Sequence, residues 1–159
     1  MEGVQQIVEA PRGIYPARLD DKGRLKLPTG FAQYFSLLPE KKLFVTSLDR
    51  RTAQVYPIKE WRENEKLLET YMADPKLARR VAFNANDLGS ETDLDTQGRV
   101  LFSPELRREL GIENQPVKIY CYKGRIEVLT EAIYEERKRQ AMAESGPDDV
   151  EKLEAAGLK

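Results

Sequence analysis

The chemistry this chain can offer is concentrated in one short pattern that occurs twice. Leu19-Asp20-Asp21-Lys22-Gly23-Arg24-Leu25-Lys26-Leu27-Pro28 is followed seventy-five residues later by Leu94-Asp95-Thr96-Gln97-Gly98-Arg99-Val100-Leu101-Phe102-Ser103-Pro104. Each copy has an aspartate, two variable residues, Gly-Arg and then a strand-like run. Aspartate accepts backbone N–H bonds, and glycine adopts the positive φ that closes a tight turn. Asp20, Gly23, Asp95 and Gly98 are therefore turn-shaping residues, the two carboxylates either forming the bend or steering the arginine beside it. Arg24 and Arg99 leave the turns as displayed cations. The same guanidinium presented twice suits repetitive recognition of an extended partner better than a single catalytic pocket.

Catalysis finds little support. The 159 residues include no histidine and one cysteine. Lys22-Gly23 lacks the remaining glycines of a nucleotide-binding loop. Asp20 and Asp21 are adjacent and would point apart in a strand, which suits neither acid–base nor metal chemistry. No enzyme activity, cofactor, metal or small-molecule substrate is expected. Cys121 lies in an apolar run, cannot form an internal disulfide and reads as a small buried hydrophobe. Residues 1–10 are polar and acidic with no apolar run behind them, unlike a signal peptide. No stretch of eighteen apolar residues exists, so no membrane span is expected. These features point to the cytoplasm.

The formal net charge is -1, but it is unevenly spread. Residues 12–51 hold nine basic and four acidic side chains, a local +5; residues 135–159 hold five basic and seven acidic, a local -2. A locally basic face can track phosphates while the rest of a chain stays acidic.

The elements that must position the arginines follow from periodicity. Residues 14–19 form a short strand interrupted by Pro16, which lacks a ladder donor, so the strand lies at an edge or starts after the proline. From Arg24 to Leu27 basic and apolar residues alternate, which puts Arg24 and Lys26 on one face and Leu25 and Leu27 on the other. Pro28 ends that strand, and Thr29 is placed to cap a short helix carrying Phe31 and Phe35. Residues 43–48 form a strand, Asp49-Arg50-Arg51 a turn, residues 52–56 the return strand, and Pro57 opens a helix over 58–71 containing Trp61. Residues 76–83 form a further helix with Leu77 and Val81 on its inner face. Arg79 and Arg80 read as a solvated helix face or a subunit contact.

The second half repeats the order. Arg99 to Phe102 is a strand, residues 104–110 a helix stopped by Gly111, residues 117–122 and 125–129 a hairpin, and Thr130 the cap of a last helix. Val45 aligns with Ile119, Val55 with Val128 and Trp61 with Tyr134. The expected fold is mainly β with short helices, an internally duplicated α+β chain. Its parts are a first repeat with its helix (13–72), a helical linker (73–93), a second repeat (94–135) and a polar, partly disordered tail (136–159). One half is too thin to build a core alone. Two halves related by an approximate two-fold could interdigitate their hairpins around one barrel-like core, although the pattern is equally compatible with adjacent halves.

These residues resemble the MraZ family of bacterial transcriptional regulators. The likeness is carried by residues 19–27 and 94–102, by the strand, turn, strand and tryptophan-containing helix of residues 43–61, and by the link from Ala78-Arg79-Arg80 through Phe83 to Leu94-Asp95. The resemblance implies an AbrB-like swapped-hairpin, double-split barrel fold and ring-shaped homo-oligomers. It also implies binding of double-stranded DNA at short G-rich direct repeats upstream of the division and cell-wall genes, hence a nucleoid-associated protein. Arg24 and Arg99 match the family's DNA-contacting arginines. The chain departs from the family in about ten extra N-terminal residues, in Asn84-Ala85-Asn86-Asp87, and in an acidic-leaning tail after Arg139.

Arginine suits that role, because its rigid fork of donors grips a phosphate or spans O6 and N7 of guanine. Lys22, Lys26 and Arg18 are expected to neutralise phosphates. Gln97 offers only hydrogen bonds, and Leu101 stands where the first copy has Lys26, so the second copy is electrostatically weaker. Phe31 and Trp61 belong to helical apolar stripes and read as core. Arg50 and Arg51 read as a hairpin tip. The competing reading is a non-enzymatic protein-interaction or antitoxin-like scaffold that uses the same basic turns.

Overall fold

The ordering of strands, and not their number, determines where the two arginines sit. The structure is a computed structural model that describes residues 9–159; most of the N-terminal stretch read above as polar and acidic lies outside them. The first half contains β1 (Tyr15–Arg18), β2 (Arg24–Lys26), α1 (Thr29–Ser36), β3 (Lys42–Thr46), β4 (Ala53–Pro57) and α2 (Ile58–Thr70). After α3 (Pro75–Leu88), the second half follows as β5 (Ser90–Asp93), β6 (Arg99–Leu101), α4 (Pro104–Leu110), β7 (Pro116–Tyr122), β8 (Arg125–Thr130) and α5 (Glu131–Glu144). A short α6 (Asp149–Ala155) ends the chain. The fold is α+β with antiparallel sheets. One has six strands in the order β1-β7-β8-β4-β3-β5; the other is a ribbon of β2 and β6.

The pairings resolve how the halves meet. β1 pairs with β7 of the other half, and β5 pairs with β3 of the first. Each half thus lends its opening strand to the other's hairpin, and the halves are interleaved. The approximate two-fold axis passes through two residue pairs. In the ribbon it lies at Leu25 opposite Val100; in the large sheet it lies at Gln54 opposite Glu127. Gln54 Nε2 donates to Glu127 Oε1 at 3.3 Å across that axis, and both side chains are buried. Arg125 Nε satisfies the other Glu127 oxygen at 2.6 Å. A buried carboxylate needs such a partner, because desolvation alone would disfavour its charge.

Local sequence explains the elements. β1 is an edge strand, which tolerates Pro16 because only one side of the ladder needs donors. Pro28, not Thr29, caps α1: the Pro28 carbonyl accepts from Phe31 N and Ala32 N at 3.0 Å each, and no side-chain cap forms. The chain turns so tightly out of β2 that Thr29 is already the first helical residue. At the equivalent corner of the second half, Ser103 caps α4 by accepting from Leu106 N, with Pro104 at the first helical position. Gly111 ends α4 in the left-handed conformation, and Thr130 caps α5 by accepting from Ile133 N.

The main core lies between the ribbon and the inner face of the large sheet. It includes Leu19, Leu25, Val45, Val55, Val100, Phe102, Ile119 and Ile126. A second, smaller cluster forms where α2 and α3 cover β3 and β4, with Trp61 stacked on Phe44 at 4.7 Å. α3 differs from expectation. It runs to Leu88, and its buried residues are Ala78, Ala85 and Leu88, whereas Leu77 is exposed and Val81 half-buried. Small residues win that face because the helix approaches the sheet closely: Thr46 Oγ1 donates to the Ala85 carbonyl at 2.7 Å. Gly89 follows the helix because a Cβ there would lie 2.2 Å from the Phe44 ring. The stretch read as a helical linker therefore ends in a strand, β5. The tail is helical in α5 and α6, and its residues 137–159 are all exposed.

Cys121 is half-buried, packed against the main core, and burial pushes its thiol up to about 11. Among the described residues no helix is long and apolar enough to cross a membrane.

The ribbon makes a sharp contrast between its two faces. Leu25→Ala is expected to lower the urea-unfolding free energy by about 2–5 kcal/mol, the usual range for emptying a packed leucine site. Leu101→Ser, on the outer face of the same ribbon, should change it by no more than about 0.5 kcal/mol. Equal losses would contradict the facing of the ribbon.

Candidate nucleic-acid interface

Pairing of β2 with β6 gathers the repeated motif onto one small surface. Leu25 and Val100 face inward and are fully buried. The alternate residues face outward, with Arg24 opposite Leu101 and Lys26 opposite Arg99. Three cations and one apolar side chain thus share the outer face, and the two-fold places the arginines diagonally across it. Like charges directly opposite one another in a sheet are unfavourable unless something neutralises them. Lys26 faces Arg99 in this way on a face open to solvent, with Asp95 offsetting part of the Arg99 charge.

Each arginine is set by its own turn. Asp20 Oδ1 accepts from the backbone N–H of Lys22 and of Arg24, each at 2.9 Å, while Oδ2 accepts from Arg24 Nε at 2.8 Å. Asp95 does the same: Oδ1 accepts from Gln97 N at 2.8 Å and Arg99 N at 2.9 Å, and Oδ2 from Arg99 Nε at 2.8 Å. Backbone bonds complete each bend, with Gly23 N donating to the Asp20 carbonyl and Gly98 N to the Asp95 carbonyl, both at 3.1 Å. Gly23 and Gly98 hold φ of 81° and 75°, a region glycine enters without steric penalty. The aspartates therefore both shape the turn and steer the arginine.

The guanidinium groups are neither buried nor free. The side chains of Arg24 and Arg99 are 29% and 24% exposed. Each is held through Nε alone; among the described residues their terminal nitrogens have no hydrogen-bond partner. The fork that would grip a phosphate or a guanine edge is left open on a side chain whose orientation is already fixed.

The remaining sequence-predicted residues separate into two groups. Lys22 and Gln97 lie exposed on the two turns, beside the arginines. Lys26 is exposed and its ammonium donates to the Gln97 carbonyl, so it bridges from one repeat to the turn of the other. Arg18 stands apart: it lies on β1, and its Nη2 donates to the Asn114 carbonyl at 2.9 Å in the loop before β7. Arg50 and Arg51 are engaged in structure. Arg50 binds Asn84, Asp87 and Glu109, tying the β3–β4 hairpin to α3 and α4, and Arg51 pairs with Glu136 at 3.0 Å.

One residue at the site has no signal in the motif itself. Arg107, on α4, donates from Nη1 to the Phe102 carbonyl at 2.8 Å and to the Lys22 carbonyl at 3.3 Å. A residue-by-residue comparison of the two repeats finds it, because it stands where the first half has Ala32.

Comparison with known proteins places this surface in context. No protein-family model matches the chain. Over 144 residues it is 30% identical to the transcriptional regulator MraZ of Acidobacterium capsulatum, an alignment that covers 85% of this chain and 98% of that protein. It is 31% identical over 105 residues to the protein of the same name from Koribacter versatilis, covering 65% and 71% of the two chains. The similarity to the Ralstonia pickettii protein of that name is 27% over 137 residues, covering 86% and 94%.

Both aspartates should titrate below the ordinary value of 3.8. For Asp20 the backbone N–H of Arg24 is the largest cause, with the Arg24 side chain and Lys22 N–H adding to it. For Asp95 partial burial works upward, but the N–H and guanidinium of Arg99 and the N–H of Gln97 outweigh it. A lowered folded pKa means that the ionised carboxylate stabilises the fold fully above the unfolded value. That contribution fades as pH falls through the folded one. Carbon-detected NMR titration is expected to show both carboxyls changing below pH 3.8, with turn amides losing protection in step. Midpoints at or above 3.8 would contradict the assigned bonds.

Proposed function

The chain belongs to the MraZ family of transcriptional regulators, and from that premise we propose that it is a sequence-specific DNA-binding regulator whose contact surface is the outer face of the β2–β6 ribbon. The observation that carries this reading is the pair of arginines on one face, each oriented by a carboxylate through Nε with its terminal nitrogens open. Arg24 and Arg99 reach guanine edges or phosphates. Lys22 and Lys26 neutralise neighbouring phosphates, Gln97 adds hydrogen bonds, and Arg18 contributes from the flank. The sites are short G-rich direct repeats upstream of the division and cell-wall genes, which makes the protein cytoplasmic and nucleoid-associated.

One chain presents only two turns, a small contact for specific binding. Several copies assembled as a ring would engage tandem repeats together, and each further contact would form at high effective concentration. Exposed apolar side chains on and beside α2 and α3, among them Leu67, Met72, Leu77 and Phe83, support self-association through that side of the molecule. This surface does not include the ribbon's outer residues.

The test combines Arg24→Ala with Arg99→Ala. Fluorescence anisotropy with a labelled duplex from the chain's own upstream region should show binding weakened at least about thirtyfold, since each of two well-placed arginine–guanine contacts is worth ~1–3 kcal/mol. Light scattering should show the oligomer mass unchanged. If the two arginines bind phosphates, the slope of log affinity against log salt should also fall by about two. A double variant that binds DNA like the wild type would overturn the reading and favour a protein-interaction scaffold built on the same turns.

A further inference from the structure

The two turns are not equally supported. Each packs against the first short helix of the opposite half: the turn of residues 20–23 against α4, and the turn of residues 95–98 against α1. At the first turn the neighbour is Arg107. Its Nη1 occupies the space a Gly23 Cβ would need, 1.6 Å away, and binds the Phe102 and Lys22 carbonyls. Its Nε is held by Glu113 at 2.8 Å, and the side chain is only 13% exposed. A charged group so enclosed, and bonded through both Nε and Nη1, is a fixed strut.

At the second turn the same position is Ala32, whose Cβ lies 3.3 Å from the Cβ position of Gly98. No strut reaches the bend from α1. A cavity of about 420 Å³ lies beside it, lined by Ala32, Phe35, Leu43, Leu94, Asp95 and Thr96. The Gln97 carbonyl, equivalent to that of Lys22, is held by the exposed Lys26 instead. Arg107 thus ties the Lys22 carbonyl of the first turn to the Phe102 carbonyl of the opposite half, whereas the second turn has room to move and a bond that an incoming phosphate can compete for.

We infer that Arg107 is a positioning residue for DNA binding: it rigidifies the first turn from the opposite half, which makes Arg24 the more firmly pre-organised of the two contacts and Arg99 the more adaptable. This rests on the DNA-binding reading above. Rigidity matters because freedom lost on binding is subtracted from affinity, so a contact already ordered in the free protein binds more tightly.

A double-mutant cycle separates positioning from direct contact or general destabilisation. With a fluorescein-labelled duplex from the upstream repeats, Arg107→Ala is expected to weaken binding about three- to tenfold in the wild type and in the Arg99→Ala background. In the Arg24→Ala background it should weaken binding less than about twofold, because the contact it supports is already gone. An equal loss in both backgrounds, or no loss beside Arg99→Ala, overturns the inference. Arg107→Lys keeps the charge without the planar group that joins Glu113 to the two carbonyls; binding as tight as the wild type would mean that charge alone acts, and would also overturn it. Amide exchange on the DNA-free Arg107→Ala protein supplies a readout independent of DNA. Faster exchange at Gly23 and Arg24, with Gly98, Arg99 and the β8 amides unchanged, upholds the brace and shows that the fold persists; uniform acceleration overturns it. Normal DNA binding by Arg24→Ala would instead refute the DNA role of that residue, and turn-confined exchange would then still identify Arg107 as the anchor of the bend.

Discussion

Antiparallel pairing of β2 with β6 is the constraint on which the site depends. Each strand comes from a different repeat, and the pair is centred where Leu25 meets Val100. That register points Leu25 and Val100 into the core and both arginines outward. A slip of one residue would exchange the faces, burying cations and exposing the core. The buried face therefore fixes the position of the open one. The same interleaving gives the six-stranded sheet its order, because β1 and β5 each complete the opposite half's hairpin. Neither repeat has a closed sheet or a complete core without the other.

Within that frame the Asp–Arg turn sets direction. A surface arginine ordinarily samples many rotamers, and an exposed ion pair holds it only weakly. Here one carboxylate bonds two backbone N–H groups and the Nε of the same arginine, so the turn and the side chain are ordered together. Pairing an arginine with its neighbouring aspartate can equally be a self-satisfied surface contact. What separates the two cases is geometry: engagement through Nε leaves the terminal fork open, whereas a bidentate pair through both terminal nitrogens would have consumed it.

Much of this was legible in the sequence because it is local. The turns follow from Asp and Gly spacing, the facing of Arg24 and Lys26 from alternation, and the end of α4 from Gly111. The resemblance to MraZ rested on those same motifs, and the relatives now support it over most of the chain. What escaped depends on tertiary contacts or on the exact place where one element gives way to the next. Leu77 and Val81 are bulkier than Ala78 and Ala85, yet the two alanines are buried against the sheet, because the Thr46–Ala85 bond brings the middle of the helix close to it; only at the end of α3 is a large residue, Leu88, buried. Thr29 had the right chemistry for a cap but stands one position inside the helix. Arg107 and the Gln54–Glu127 pair carry no motif; they matter because the interleaved topology brings distant segments together.

The central claim is that both guanidinium groups meet DNA at once from one ribbon face. NMR of ¹⁵N-arginine-labelled protein, following Nε–Hε signals during titration with the upstream repeat duplex, tests it most directly. The account expects Arg24 and Arg99 to shift together at a common stoichiometry while the exposed Arg79 and Arg80 on α3 stay in place. Shifts at Arg79 and Arg80 with Arg24 and Arg99 unmoved would contradict it.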